Sequence, residues 1–300
     1  MSGLGGHILF VMLLLCSGAA VLGQRQESPY NTNSAAVSFE SRRGHFMVPV
    51  RVGANAYAFL LDTGYGMTMF RRDHIDALGL RRTGRVTIVG IAGEEPADVF
   101  ESPTFRIGEM EWKTRRVAAY PVEQGRSRRR DGILGSAFFR RFVIEIDPST
   151  KLLKLHEPRR YEYTGEGEVL ALRFQGSTPI VEGTIVLTNG TEVRSEFEID
   201  SGCTGALCIG KHFVEAHQLV AAGRDRERFG VGGGTRTRTG RLPKLKLGKL
   251  AIEQPAADFF LEGSPVDPPL AGHIGAGILR DFKVVFDYSR KRMILEPLKR

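Results

Sequence analysis

The sequence predicts an all-β protein made of two related lobes, and two observations support this. An internal duplication spans most of the chain, and short segments rich in β-branched residues are repeatedly interrupted by Gly or Pro. With 300 residues, 42% of them hydrophobic and 36 of them glycine, the chain can form two modest turn-rich domains. The predicted lobes cover residues 36–158 and 168–298, joined by a polar stretch over 159–168.

Residues 1–23 predict a signal peptide. A continuous apolar run over 8–15 is followed by small residues at 17–20, and no charged residue occurs before Arg25. Because the run is short for a membrane-spanning helix, we expect a periplasmic or secreted protein without stable membrane insertion after signal cleavage. An uncleaved signal would instead leave the protein anchored to the membrane.

The net charge of +8 indicates attraction to anionic surfaces. The most basic run, residues 126–130, has no interleaved aromatic residue and lies in no nucleic-acid-binding motif, so it predicts a solvated loop and no nucleic-acid partner. Two cysteines, Cys203 and Cys208, remain after the predicted signal. They are compatible with a disulfide or with two small buried side chains, and the sequence leaves both interpretations open.

The duplication is clearest near the end of each half. Residues 131–147 align without a gap with residues 271–287, and five positions are identical. These identities are Gly132 with Gly272, Gly135 with Gly275, Arg140 with Arg280, Phe142 with Phe282 and Asp147 with Asp287. Matching segments at such a separation indicate two copies of one structural unit.

The upstream parts of the two copies correspond as well. Residues 59–64, Phe-Leu-Leu-Asp-Thr-Gly, match residues 197–202, Phe-Glu-Ile-Asp-Ser-Gly. A turn precedes each segment, at 53–55 and at 189–190. A helix-like stretch and then a Gly-rich turn follow each segment.

The two Asp-[Thr/Ser]-Gly triplets are the candidate catalytic motifs. One triplet alone is a common turn sequence, but two at equivalent places predict that a two-fold arrangement brings two carboxyl groups together. Such a pair shares one proton, so it can activate a water and protonate a leaving nitrogen. We therefore predict that Asp62 and Asp200 hydrolyse peptide bonds without a metal or other cofactor, as a dyad complete within one chain.

The neighbouring residues have predicted supporting roles. The hydroxyls of Thr63 and Ser201 can tie one loop to the other, while Gly64 and Gly202 let a backbone N–H approach each carboxylate. The Gly-rich turns are predicted to be flaps over the substrate, with plain hairpin tips as the alternative. The flap residues are Gly90, Ile91, Ala92 and Gly93 in the first copy and Gly230, Val231 and Gly232 in the second.

These motifs resemble the pepsin and retropepsin superfamily of aspartic proteases. The shared pattern is apolar-apolar-Asp-[Thr/Ser]-Gly, a Gly-rich flap, and then apolar-apolar-Gly, present twice and covering nearly all of the predicted mature chain. It is most similar to the bacterial, secreted, two-repeat aspartyl proteases of retropepsin-like type. The resemblance implies a bilobal acid-protease fold, with two homologous β-barrel-like lobes and the active-site cleft between them. It also implies an aspartic endopeptidase that binds an extended polypeptide substrate as an added strand.

The sequence departs from that pattern in three places. Tyr65 and Cys203 follow the triplets where family members usually have a small residue, and no counterpart of the flap tyrosine of pepsins is evident. His273 replaces an apolar residue of the second apolar-apolar-Gly motif. We expect a partly exposed histidine at a strand end, with a role in pH sensing as the alternative.

Two other functions compete with a protease. A non-catalytic protein could hold a peptide in the same cleft, and a surface-interaction protein could use the basic face. The two aspartates favour the enzyme, because a peptide-binding protein has no need for a pair of like charges.

Overall fold

Successive residues of a strand point to opposite faces, so alternate residues are buried, as in Leu152–His156. The computed structural model describes residues 34–120, 130–219, 223–230 and 232–298, which all belong to one compact unit. Strands dominate these parts of the chain, and no described α-helix exceeds six residues. The predicted all-β class is therefore confirmed.

The first half contains thirteen described strands and two short helices. The strands are β1 Ser34–Ser38, β2 Glu40–Arg42, β3 His45–Val52, β4 Asn55–Leu61, β5 Met69–Arg71, β6 Arg82–Gly90, β7 Gly93–Phe100, β8 Phe105–Ile107, β9 Met110–Trp112, β10 Val117–Tyr120, β11 Gly132–Leu134, β12 Val143–Asp147 and β13 Leu152–His156. The helices are α1 Arg72–Ala77 and α2 Ser136–Phe139, and a 3-10 turn covers Pro158–Arg160.

The second half also contains thirteen described strands, two short helices and one 3-10 turn. Its strands are β14 Glu168–Ala171, β15 Arg173–Gln175, β16 Thr178–Val186, β17 Glu192–Asp200, β18 Leu207–Ile209, β19 Asp225–Gly230, β20 Gly233–Arg241, β21 Lys244–Leu247, β22 Leu250–Glu253, β23 Ala256–Phe260, β24 Gly272–Gly275, β25 Phe282–Asp287 and β26 Arg292–Pro297. The helices are α3 Lys211–Ala216 and α4 Ala276–Leu279, and a 3-10 turn covers Tyr288–Arg290.

The sheet topology repeats the sequence duplication strand by strand. One ten-stranded sheet has the order β6-β7-β10-β5-β11-β4-β3-β8-β9, with β2 paired to β3. The second has the order β19-β20-β23-β18-β24-β17-β16-β21-β22, with β15 paired to β16. Each strand number of the second sheet is that of the first raised by 13, so the two sheets are topological copies.

A six-stranded sheet contains strands from both halves, in the order β1-β13-β12-β25-β26-β14. At its centre β12 pairs antiparallel with β25, and Ile144 faces Phe286. These two strands are the equivalent apolar strands of the two repeats, so the copies are joined by a shared sheet. The predicted boundaries of the lobes remain predictions.

The core of the first ten-stranded sheet is aromatic. Phe59, Phe70 and Phe105 are fully buried, and their ring centroids lie 5.2–6.4 Å apart. Burial of an aromatic side chain of this size stabilises the fold by about 1.5–3 kcal/mol. Because Phe59 lies three residues before the first predicted catalytic aspartate, this core fixes the strand that carries it.

Candidate active site

Each predicted catalytic aspartate lies at the end of a buried strand. Asp62 follows β4, and its backbone N–H donates to the carbonyl of Leu134 at the end of β11, 3.1 Å away. Asp200 ends β17, where it stands opposite Gly275 in the parallel pairing with β24. The two aspartates thus occupy the same position in the two copies of the sheet.

The hydroxyls of Thr63 and Ser201 form a reciprocal set of hydrogen bonds between the two loops. The Thr63 hydroxyl donates to the carbonyl of Ile199 at 2.6 Å and accepts the Ser201 N–H at 2.9 Å. The Ser201 hydroxyl donates to the carbonyl of Leu61 at 3.0 Å and accepts the Thr63 N–H at 3.0 Å. All four bonds are buried, so the loops are fixed relative to each other.

Gly64 and Gly202 each contact both carboxyl groups. The N–H of Gly64 donates to Oδ1 of Asp62 at 3.1 Å, and the N–H of Gly202 donates to Oδ1 of Asp200 at 2.9 Å. A Cβ at Gly64 would lie 2.9 Å from Oδ1 of Asp200, and a Cβ at Gly202 would overlap the carboxyl of Asp62. Only glycine therefore fits at the contact between the two loops.

The pKa values of the two aspartates shift in opposite directions. Burial and the negative charge of Asp200 raise the pKa of Asp62 well above its usual range. Burial also opposes ionisation of Asp200, but the hydrogen bond and positive charge of His273 outweigh it and lower the pKa of Asp200. A hydrogen bond between the side chains joins the two carboxyls, which suits a pair holding one proton.

The residues that follow the triplets differ between the loops. The N–H of Cys203 donates a second hydrogen bond to Oδ1 of Asp200, at 3.2 Å. In both loops this N–H also donates to the main-chain carbonyl of the aspartate, from Tyr65 to Asp62 at 3.4 Å and from Cys203 to Asp200 at 3.1 Å. Asp200 thus receives one more backbone hydrogen bond than Asp62 at this position.

The expectation of a partly exposed strand-end histidine at position 273 was wrong. The side chain of His273 is only 8% exposed, with Nδ1 3.3 Å from Oδ2 of Asp200 and Nε2 3.1 Å from Oε2 of Glu198. Burial opposes protonation of the imidazole, but the charges of Glu198 and Asp200 raise the pKa of His273 well above its usual value. The protonated form of a buried imidazole is therefore favoured beside one aspartate of the pair.

The two predicted flaps are hairpin tips that meet each other. The turn Gly90–Gly93 joins β6 to β7, and the turn after Gly230 joins β19 to β20. A Cβ at Gly230 would lie 2.8 Å from the side chain of Ile91, and a Cβ at Gly232 would overlap the backbone of Ala92 and Gly93. The N–H of Gly232 also donates to Oε1 of Glu95 at 3.2 Å. Val231 lies outside the described residues.

A cavity of about 1090 Å³ extends from the aspartates to these tips. Its first-copy wall is mainly apolar and includes Tyr65, Met69, Ile88, Val89 and Ile133. Its second-copy wall carries both apolar and ionisable groups, among them Ile180, Glu198, Cys208, Arg228, Asp258 and His273. The cavity thus has the position and size for an extended chain to reach the aspartates.

The two cysteines are free thiols with their sulfur atoms 3.1 Å apart. Hydrogen bonds from Cys208 and His273 lower the pKa of Cys203 to about 6, although burial opposes this. Within the described parts of the chain, no cluster of three or more His, Cys, Asp or Glu side chains has the arrangement of a metal site.

Part of the basic run lies at the site. Residues 126–129 are outside the described ranges, but Arg130 is half-buried and lines the cavity, where its charge acts to lower the pKa of Asp62.

The predicted signal peptide, residues 1–23, also lies outside the described residues. None of the described helices has the length and apolar character needed to cross a bilayer.

Motif matching missed Glu198 as a residue of the site. The signal was present, because Glu198 interrupts the apolar motif before the second triplet, at the position where the first copy has Leu60. His45 was also missed; its Nε2 lies 3.1 Å from the carbonyl of Gly202. No motif surrounds His45, and only the folded structure places it here.

Part of the chain and its fold are similar to known aspartic proteases. Residues 48–138, which include the first triplet, match the family model described as aspartyl protease. Among solved structures, the aspartic proteinase from Irpex lacteus matches with a TM-score of 0.59 at 15% identity, over 89% of this chain and 98% of that one. No significant match was found among curated protein sequences. The structural match confirms the bilobal acid-protease fold expected from the motifs, and residues 48–138 are similar to the aspartyl protease family.

Proposed function

We propose that this protein, which has the aspartic protease fold, is an endopeptidase that activates a water between Asp62 and Asp200. The observation that carries the proposal is the pair of carboxyls itself. Two equivalent loops hold them in hydrogen-bond contact, and their pKa values shift in opposite directions. Groups with separated pKa values can act as base and acid in the same pH range.

The chemistry follows from one shared proton. The ionised carboxylate takes a proton from the water as its oxygen attacks the scissile carbonyl carbon. The protonated carboxyl donates a hydrogen bond to the carbonyl oxygen, where negative charge develops. Proton transfer to the leaving nitrogen then breaks the peptide bond and restores the singly protonated pair. The hydrogen bonds of Thr63 and Ser201 keep the carboxyls in place during these steps.

The substrate class we propose is an extended polypeptide. The flap hairpins β6–β7 and β19–β20 offer main-chain groups above the cavity, and a bound chain can hydrogen-bond to them as an added strand. Met69, Ile88 and Ile133 provide an apolar wall for a neighbouring side chain. Meeting of the two tips would enclose the reacting bond and exclude bulk water.

We further propose that the enzyme acts outside the cytoplasm. The support is the apolar run and small residues within positions 1–23. Fractionation of the native host, with N-terminal sequencing of the mature protein, tests this. Recovery in the cytoplasm with residues 1–23 intact would contradict it.

The function is tested by incubating the mature protein with a peptide library across pH 3–8. Asp62→Asn and Asp200→Asn should each abolish cleavage, whereas Asp76→Asn, an exposed residue of α1, should leave it unchanged. A parallel assay with pepstatin is a secondary probe. Equal cleavage by the wild type and Asp62→Asn would rule out the dyad, and binding of peptides without cleavage would favour a non-catalytic binding protein.

A further inference from the structure

The residues beneath the two aspartates differ sharply between the copies. In the first sheet, Ile133 pairs with Met69 and with Leu60, and Met69 pairs with Ala118. These four side chains belong to one buried apolar cluster. The carboxyl of Asp62 therefore has no charged neighbour in this layer of four.

The second sheet has ionisable groups at the same four positions. His273 pairs with Cys208 and with Glu198, and Cys208 pairs with Asp258. The pairings match those of the first sheet, so each apolar residue has one ionisable counterpart. The duplicated fold thus presents a polar layer to one aspartate only.

His273 is the member of this layer that contacts the aspartate pair. Its Nδ1 lies 3.3 Å from Oδ2 of Asp200, and its Nε2 lies 3.1 Å from Oε2 of Glu198. The side chains of His273 and Glu198 are 8% and 13% exposed. Two carboxylates on opposite sides of one buried imidazole favour its charged form.

The other described groups that face His273 from the adjacent loop and the neighbouring strands are thiols and carboxyls. Cys203 hydrogen-bonds to its ring, and Cys208 faces it from β18. Asp258 lies beyond Cys208 on β23 and forms an ion pair with Arg228. The hydrogen bond and charge of His273, 3.3 Å from Oδ2, lower the pKa of Asp200. Arg130 also lines the cavity, and its charge acts to lower the pKa of Asp62.

We propose that His273, held by Glu198, is a positioning residue that keeps Asp200 as the ionised member of the pair and leaves the shared proton on Asp62. This inference rests on the proposed function and extends it by giving the two aspartates different roles. Asp200 would take the proton from the attacking water, and Asp62 would donate the hydrogen bond to the scissile carbonyl. The opposite pKa shifts of the two carboxyls agree with this assignment.

The proposal predicts how the pH profile responds when the positive charge is removed. A cation stabilises each more negative state of the pair, so its loss raises the pKa of both ionisation steps. The whole bell-shaped profile of kcat/KM should therefore move to higher pH, by about 1–2 units for a contact at this distance. A purely structural role would lower the rate at every pH without moving the profile.

One variant is Glu198→Leu/His273→Ile, which copies Leu60 and Ile133 from the first sheet and leaves no buried charge unpaired. Because it removes a carboxylate together with the imidazole, its shift should be smaller than that of a variant that loses only the positive charge. His273→Gln is a second variant that keeps hydrogen-bonding capacity and removes only the charge. On the acidic limb, a shift of one unit lowers kcat/KM about tenfold. His156→Gln is the matched control, because His156 faces Glu145 at 3.8 Å outside the cleft. Profiles that stay at the wild-type position in both variants would overturn the proposal.

A measurement on the unmodified protein completes the test. Imidazole ¹⁵N NMR of assigned His273 should show both ring nitrogens protonated throughout the pH range of peptidase activity. A neutral His273 in that range would overturn the proposal even if the variants fail to fold. Failure of the proposed function would look different: the wild type would not cleave peptides, or Asp62→Asn would cleave them equally well.

Discussion

Replacement of Thr63 by Val tests whether the hydrogen bonds between the loops hold the site together. Valine is close in shape to threonine, but it cannot donate to the carbonyl of Ile199 or accept the N–H of Ser201. Both bonds are buried, and a buried backbone group left without a partner costs about 1–3 kcal/mol. We expect a loss of about 2–4 kcal/mol in the free energy of unfolding.

For a protein of this size, that loss corresponds to a fall in Tm of about 5–12 °C. Differential scanning calorimetry measures the fall, and peptide cleavage at a temperature where the variant is folded measures the effect on kcat. Ser201→Ala removes the symmetry-related pair of bonds and should cost a similar amount. Thr191→Val, at an exposed turn, is the control with little expected effect. A Thr63→Val protein as stable as this control would refute the reasoning.

Three other perturbations probe separate parts of the site. Gly202→Ala should abolish cleavage because its Cβ would overlap Asp62, whereas Gly84→Ala, which has open space around it, should retain activity in the same assay; an active Gly202→Ala would contradict the described contact. Gly232→Ala should raise KM because its Cβ would overlap the opposite flap tip. Gly190→Ala controls for backbone strain, because Gly190 has a similar positive φ and open space for a Cβ. Equal KM values in the two variants would argue against tip contact. Iodoacetamide should alkylate Cys203 at a rate that rises through about pH 6, because hydrogen bonds from Cys208 and His273 lower the pKa of this thiol. The Cys203→Ser variant should show no such rise. Peptide mapping that finds only Cys208 modified would refute this.

The duplication made much of the fold predictable. Because the two copies align around Gly132 and Gly272, the sequence placed both aspartates at equivalent strand ends. The Asn189-Gly190 pair marked a real turn, where Gly190 adopts a φ of +83° between β16 and β17. These signals are local in the chain, so a sequence pattern can capture them.

Features that depend on long-range pairing could not be predicted in this way. The pairing of β12 with β25 joins segments about 140 residues apart, and neither strand specifies its partner. Contact between the flap tips likewise depends on how the two copies pack. The sequence contains a partial signal for the Glu198–His273 contact, since both residues interrupt apolar motifs. The parallel register of β17 and β24 was still needed to place them side by side.

The account rests most heavily on Asp62 and Asp200 acting as one catalytic unit. Measurement of kcat/KM for Asp62→Asn, Asp200→Asn and the double variant tests this most directly. We predict that each single variant loses at least about 10²–10⁴-fold, that the double variant loses no more than either single, and that all three remain folded by circular dichroism. A single variant that keeps wild-type activity, or losses that multiply in the double variant, would contradict the claim.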